Sequence, residues 1–85
     1  MLVSVLFLLG EPSDMETCGR LCRAGDVAVI RTGLLPGASQ AKGKYTLFRL
    51  AGPGICTLEG MEGEELGQDA LAALMPGLPV FSFRK

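Results

Sequence analysis

Histidine, tryptophan and asparagine are all missing from this 85-residue sequence. Histidine is the commonest general base and the commonest metal ligand, so its absence removes the usual centre of acid–base and zinc chemistry. Aromatic residues make up only 6% of the chain, which leaves few side chains for stacking on nucleic-acid bases. We therefore expect the chain to act by binding rather than by catalysis, and we identify no catalytic residue.

Cysteine is present, but Cys18, Cys22 and Cys56 form an odd set that implies no closed disulfide framework. Their spacing matches no zinc or iron–sulfur pattern, so we expect neither a metal ligand nor a cofactor. A disulfide between positions i and i+4 of one helix would distort it. We interpret all three as small buried apolar residues in a reducing, cytoplasmic setting.

An excess of charge is also lacking, because eight basic and nine acidic residues give a net charge of −1. Without excess positive charge, a nucleic-acid or membrane-surface partner is not expected. The apolar run at residues 1–9 has no basic residue before it, no cleavage site after it, and too few residues to span a bilayer. We predict a buried strand there rather than a signal peptide.

Two glycine-rich stretches do not fit nucleotide-binding loops. Five residues, rather than four, separate Gly37 from Gly43, and Tyr45 stands where a phosphate loop needs serine or threonine. The Gly52-Pro53-Gly54 stretch does not continue into a dinucleotide-binding motif, so it predicts only a tight turn.

The apolar content of 48% supports one domain over residues 1–85. A chain this short buries only roughly 60–65% of its extended surface, so we expect a homodimer to supply further burial. The acidic block at positions 59–69 is interpreted as a solvated loop and the acidic first turn of a helix.

The pattern of apolar residues predicts four strands and two helices. Leu2 to Leu9 is continuously apolar, which is typical of a strand buried on both faces. Ser13 to Glu16 fits a capping box, in which the Ser13 hydroxyl accepts from the N–H of residue 16 and Glu16 reaches back to Ser13. The remaining predicted elements are a first helix to about Ala24, strands at 26–32, 44–51 and 78–83, a helix at 64–75, and a short strand or bulge at 55–58.

The resulting order, β-α-β-β-α-β, is that of the ferredoxin-like split βαβ pattern. It predicts an α+β domain with a four-stranded antiparallel sheet, the first and third strands central, and both helices on one face.

Residues 7–30 resemble the start of an ACT-like regulatory domain, where an apolar strand leads through a D-x-P-G-x-L-type turn into a helix and a second strand. Glu11-Pro12-Ser13-Asp14-Met15 occupies that turn, and EELGQDALAALMPGLPVFSF resembles the closing helix and strand. Ser13 replaces the turn glycine that brings the backbone close to a bound amino acid. The resemblance implies a ligand-responsive, regulatory binding module.

Two mechanisms remain open for this turn. In the first, Gly10, Glu11, Pro12, Ser13 and Asp14 bind an amino acid or small carboxylate at the start of the helix, where free N–H groups attract anions. In the second, Ser13 and Glu16 satisfy those N–H groups, and the domain is a structural or protein-interaction subunit.

A third class is a small hydrolase or a thiol enzyme on the same fold. Acylphosphatase-like chemistry would need an arginine near the start of the loop and a water-orienting asparagine, and this turn is acidic. Cys18 and Cys22 are predicted mid-helix, away from the helix N-terminus that would activate a thiol.

Overall fold

The computed structural model describes residues 3–38, 43–54 and 56–83. Parts of three predicted segments lie outside these residues. They are Leu2 in the first strand, Ile55 in the short strand or bulge, and residues 39–42 in the connection between the strands at 26–32 and 44–51. The described elements are β1 (Leu6–Leu8), α1 (Asp14–Leu21), β2 (Val27–Arg31), β3 (Lys44–Arg49), β4 (Gly63–Gly67), α2 (Gln68–Leu74) and β5 (Val80–Ser82), with 3₁₀ turns at Thr32–Leu34 and Met75–Gly77. In this part of the chain no helix is long and apolar enough to cross a membrane.

The five strands form one mixed sheet in the order β4-β3-β2-β1-β5. β1 runs parallel to β2 and to β5, whereas β3 is antiparallel to both β2 and β4. The small α+β class is therefore confirmed, but the four-stranded antiparallel sheet is wrong. β1 and β3 are both interior strands, as predicted, but β2 lies between them.

The fifth strand is β4, which occupies residues where the sequence predicts the start of the second helix. Thr46 of β3 pairs with Glu65, and Lys44 pairs with Gly67, so this segment is held as an edge strand. Glu64 and Glu65 are exposed on that edge and not in a first helical turn. α2 accordingly begins only at Gln68, with Gly67 before its first residue.

The prediction that both helices share one face is also wrong. The connection from β1 through α1 to β2 moves toward the β4 edge, whereas the connection from β4 through α2 to β5 moves back across the whole sheet. Right-handed crossovers that travel in opposite directions place their helices on opposite faces. The molecule therefore has three layers, helix on sheet on helix.

Two apolar clusters confirm this arrangement, because neighbouring residues of a strand point to opposite faces. Phe7, Ala28 and Phe48 pack with Met15 and Cys18 of α1 and with Cys22, which follows the helix. The neighbouring residues along the same strands point to the other face, where they pack against Leu71 of α2. These residues are Leu6, Val27, Val29 and Leu47. β1 and β2 are thus covered on both sides, which explains their continuous hydrophobicity.

α1 ends at Leu21, three residues earlier than predicted, because Cys22 turns to an extended conformation with ψ 167°. Gly25 adopts φ +95°, a backbone conformation that glycine reaches without steric cost. Residues 56–58 belong to no strand.

Asp26 ties the ends of these elements together. Its carboxylate accepts from the N–H of Val5 at 2.9 Å and from the N–H of Arg23 at 2.8 Å, and its own carbonyl accepts from the N–H of Leu50 at 2.9 Å. The side chain is only 5% exposed, so these bonds replace those that water would make.

Gly19 is required by close packing rather than by backbone conformation. A Cβ at this position would lie 2.7 Å from Cys56 Cβ and 2.9 Å from the Gly54 carbonyl oxygen. Gly-to-Ala changes inside helices ordinarily stabilise by about 1 kcal/mol. Here we expect Gly19→Ala to destabilise by about 1–3 kcal/mol, measured by urea unfolding, because the added methyl overpacks the contact.

Gly33→Ala is the matched control, since a Cβ there meets no atom within 4 Å. Its effect should stay within about 0.5 kcal/mol. An unchanged or raised unfolding free energy for Gly19→Ala would contradict the packing argument.

Candidate functional site

The turn between β1 and α1 contains all five residues that the sequence predicts as a ligand site. Asp14 Oδ2 accepts from the N–H of Gly10 at 2.9 Å and from the N–H of Glu11 at 3.0 Å. In the first mechanism, the N–H groups of Gly10 and Glu11 would bind a ligand. Both are instead bonded to a carboxylate of the same chain.

The predicted capping box at this turn is wrong. Ser13 Oγ donates to Glu11 Oε1 at 2.7 Å, and Glu16 Oε1 accepts from Arg20 Nη2 at 2.7 Å. A capping serine needs an extended backbone, whereas Ser13 already has helical angles of φ −65° and ψ −19°. The chain enters its first turn earlier, with the Asp14 N–H donating to the Glu11 carbonyl at 3.1 Å.

The turn thus has the geometry of an anion-binding nest with its own anion in place. An external carboxylate would have to displace Asp14, whose attachment to the chain gives it a high effective concentration. The sequence pattern does not show whether the Gly10 and Glu11 N–H groups are free or occupied. The outcome depends on which carboxylate of the turn accepts from them.

A second feature, which the sequence did not predict as a site, is an open cavity of about 570 Å³ between the end of β3 and the segment before β4. Its wall combines one cation with two carboxylates, a hydroxyl and sulfur-containing side chains, namely Arg49, Ala51, Cys56, Thr57, Glu59, Gly60, Met61 and Glu62. This mixed lining suits a small zwitterion better than a purely apolar molecule.

The cavity lies between segments that no local motif connects. The signals in the sequence are the Gly52-Pro53-Gly54 turn, which sends the chain back past β3, and the charged residues of 59–62. Neither predicts a cavity without knowledge of the register of β4 on β3.

The three cysteines converge on one side of α1. Cys18 and Cys22 are buried, at 0% and 1% exposure, and Cys56 is partly exposed and packs against the same core. The interpretation of Cys18 and Cys22 as buried apolar residues is therefore confirmed. In the described part of the chain, no three acidic or cysteine side chains are grouped so as to hold a metal ion.

Burial governs the chemistry of these thiols. It raises the pKa of Cys18 from 9.0 to about 12, and the nearby Cys22 and Cys56 add to the rise. Burial also raises the pKa of Cys22 above 9.0. The thiolate is the nucleophile, so both residues are poor nucleophiles near neutral pH.

The third feature is the β5 edge, defined as Val80–Ser82. All three residues are exposed, and Val80 and Phe81 keep 40% and 46% of their surface open to solvent. The Phe81 ring lies 5.6 Å from the Phe7 ring and 5.0 Å from the Phe83 ring, centroid to centroid. A supported aromatic side chain is therefore displayed at the edge of the sheet.

No protein-family model, curated protein or solved structure matches this chain. The resemblance to ACT-like domains stays a prediction from the sequence pattern.

The raised thiol pKa values predict a loss of stability in alkali. The thiols of the unfolded chain ionise from about pH 9, but Cys18 in the folded chain ionises only near pH 12. Between these values the unfolded state binds fewer protons, so the unfolding free energy falls as pH rises, by up to about 1.4 kcal/mol per pH unit per thiol.

Urea unfolding from about pH 8 to about pH 11 measures this slope. Cys18→Ala should lower the unfolding free energy at neutral pH by about 1–2 kcal/mol but flatten its fall in alkali. Equal slopes for the two proteins would refute a pKa raised by burial.

Proposed function

We propose that this chain is a non-catalytic interaction module that works as a homodimer joined along the β5 edge. The observation that carries the proposal is the exposure of Val80 and Phe81 on a strand at the edge of the sheet. Edge strands with exposed apolar side chains are ready sites for pairing with another chain.

The two edges of the sheet differ in charge. Glu64 and Glu65 are exposed on β4, so two copies of that edge would repel each other. Residues 78–83 contain no charged side chain, so within this stretch no like charges oppose each other in a dimer. A twofold axis at this edge makes the contact self-complementary, which is the commonest form of closed assembly.

The turn supports an interaction role over the first ligand mechanism, because the Gly10 and Glu11 N–H groups are occupied by Asp14. No bond rearrangement is needed for the module to dimerise. Binding a carboxylate at the turn, by contrast, would require breaking both of these bonds.

Phe81→Lys should convert the dimer to a monomer, because the two introduced lysines would face each other across the twofold axis and repel. Sedimentation velocity at micromolar concentration measures the change, and we expect the dimer to weaken at least tenfold, equivalent to about 1.4 kcal/mol. Val80→Lys, on the other face of the same strand, should act in the same direction.

Leu34→Lys is the control, since Leu34 is also 40% exposed but lies in the 3₁₀ turn after β2. It should leave the dimer intact. A monomeric parent chain, or a dimer unaffected by both β5 changes, would exclude the proposal.

The open cavity favours a second candidate, a ligand-responsive module for an amino acid or small carboxylate. Arg49 supplies a cation for the carboxylate, and Glu59 and Glu62 supply negative charge for an ammonium group. This candidate keeps the predicted ligand class but moves the site from the turn to the cavity.

Thermal-shift measurements with amino acids and small carboxylates test it. A ligand that raises the Tm of the parent chain should bind Arg49→Gln about tenfold or more weakly, because a charge-assisted bond is lost. Arg31→Gln, outside the cavity wall, is the control and should bind normally. A ligand lost on Asp14→Asn instead would locate binding at the turn, and no hit would reject this second candidate.

A further inference from the structure

The segment after β3 is fastened to α1 around Gly19. The Gly54 N–H donates to the Gly19 carbonyl at 2.9 Å, and the Cys22 thiol donates to the Gly52 carbonyl at 3.3 Å. These two bonds hold residues 52–54 against the last turn of the helix.

Both Cys22 and Cys56 lie next to Gly19 as a result. The Cys22 sulfur is 3.6 Å from the Gly19 carbonyl oxygen. The Cys56 sulfur lies 2.8 Å from the point where a Gly19 Cβ would stand, so it rests directly on the helix backbone. The two sulfurs therefore approach the same residue from the helix end and from the adjoining segment.

The three thiols differ in access. Cys56 is partly exposed and belongs to the wall of the open cavity, so a small oxidant in solvent reaches that residue first. Cys22 is at the end of α1 and contacts the segment that carries Cys56. Cys18 is fully buried within the helix, against the sheet.

We propose that Cys22 and Cys56 form a reversible disulfide that joins the end of α1 covalently to the chain that follows β3. The oxidant class is a small disulfide such as oxidised glutathione. The Cys56 thiolate attacks one sulfur of oxidised glutathione, and the S–S bond of the glutathione disulfide breaks. One glutathione leaves as a thiolate, which takes up a proton, and Cys56 remains as a mixed disulfide with the other.

Cys22 then gives up its proton to solvent, and its thiolate attacks the Cys56 sulfur and releases the second glutathione. Because burial raises the pKa of Cys22, this second step is the slower one near neutral pH. In total, the two cysteines lose two electrons and two protons, and one glutathione disulfide is reduced to two glutathione thiols. The Cys22 hydrogen bond to the Gly52 carbonyl is lost, and a covalent link replaces it. The link closes the chain between residues 22 and 56, which restricts the unfolded state.

The test is equilibration of the full chain in glutathione buffers of increasing oxidation, followed by acid quenching, alkylation of free thiols and peptide mapping. We expect the number of alkylated thiols to fall from three to one, a Cys22–Cys56 linked peptide, and a Tm raised by on the order of 10 °C. Dithiothreitol should reverse all three changes.

Matched variants separate the steps. Cys18→Ala should still form the link, whereas Cys22→Ala should stop at a glutathione adduct on Cys56, and Cys56→Ala should form neither. Circular dichroism of each variant checks that it folds. Three alkylated thiols after equilibration in oxidised glutathione with no added reduced glutathione, or a link that involves Cys18 or a second chain, would overturn the proposal.

Discussion

The carboxylate of Asp26 holds the architecture together at the point where three elements meet. By accepting from Val5 and Arg23 it fastens the approach to β1 to the end of α1, and through its backbone it also holds the end of β3. These bonds fix where residues 22–26 lie, and Cys22 in turn contacts the Gly52 carbonyl. The position of Cys22, and with it the contact between the end of α1 and the turn after β3, therefore depends on one buried acid whose hydrogen bonds are satisfied.

The direction of the two crossovers decides what each face of the sheet carries. Because α1 and α2 cover opposite faces, the apolar residues of β1 and β2 are packed on both sides of the sheet. The β5 edge differs, since its two apolar side chains point to different faces and both are exposed. This exposed pair on an edge strand is the basis of the proposed dimer contact.

The first half of the chain was predictable because its signals are local. The continuous apolar run, the β-branched residues of 27–30 and the spacing of Met15, Cys18 and Cys22 each indicate one element. The second half was not, because Glu64, Glu65 and Leu66 fit the first turn of a helix as well as a strand. Pairing with β3 decided the outcome, and it depends on Gly63, where a Cβ would collide with Thr46 and Phe48. The cavity, the thiol contacts and the occupant of the turn likewise depend on residues far apart in sequence.

β1 receives its two neighbours from distant parts of the chain, since Leu6 faces Val27 on one side and Val80 on the other. The connection from β1 to β2 has an ordinary length, whereas nearly the whole sequence lies between β1 and β5. The β1–β5 pair therefore joins residues that are more than 70 positions apart in the chain. Because closing so long a stretch of chain costs entropy before the contact forms, this pair raises the contact order, and a high contact order is associated with slow folding.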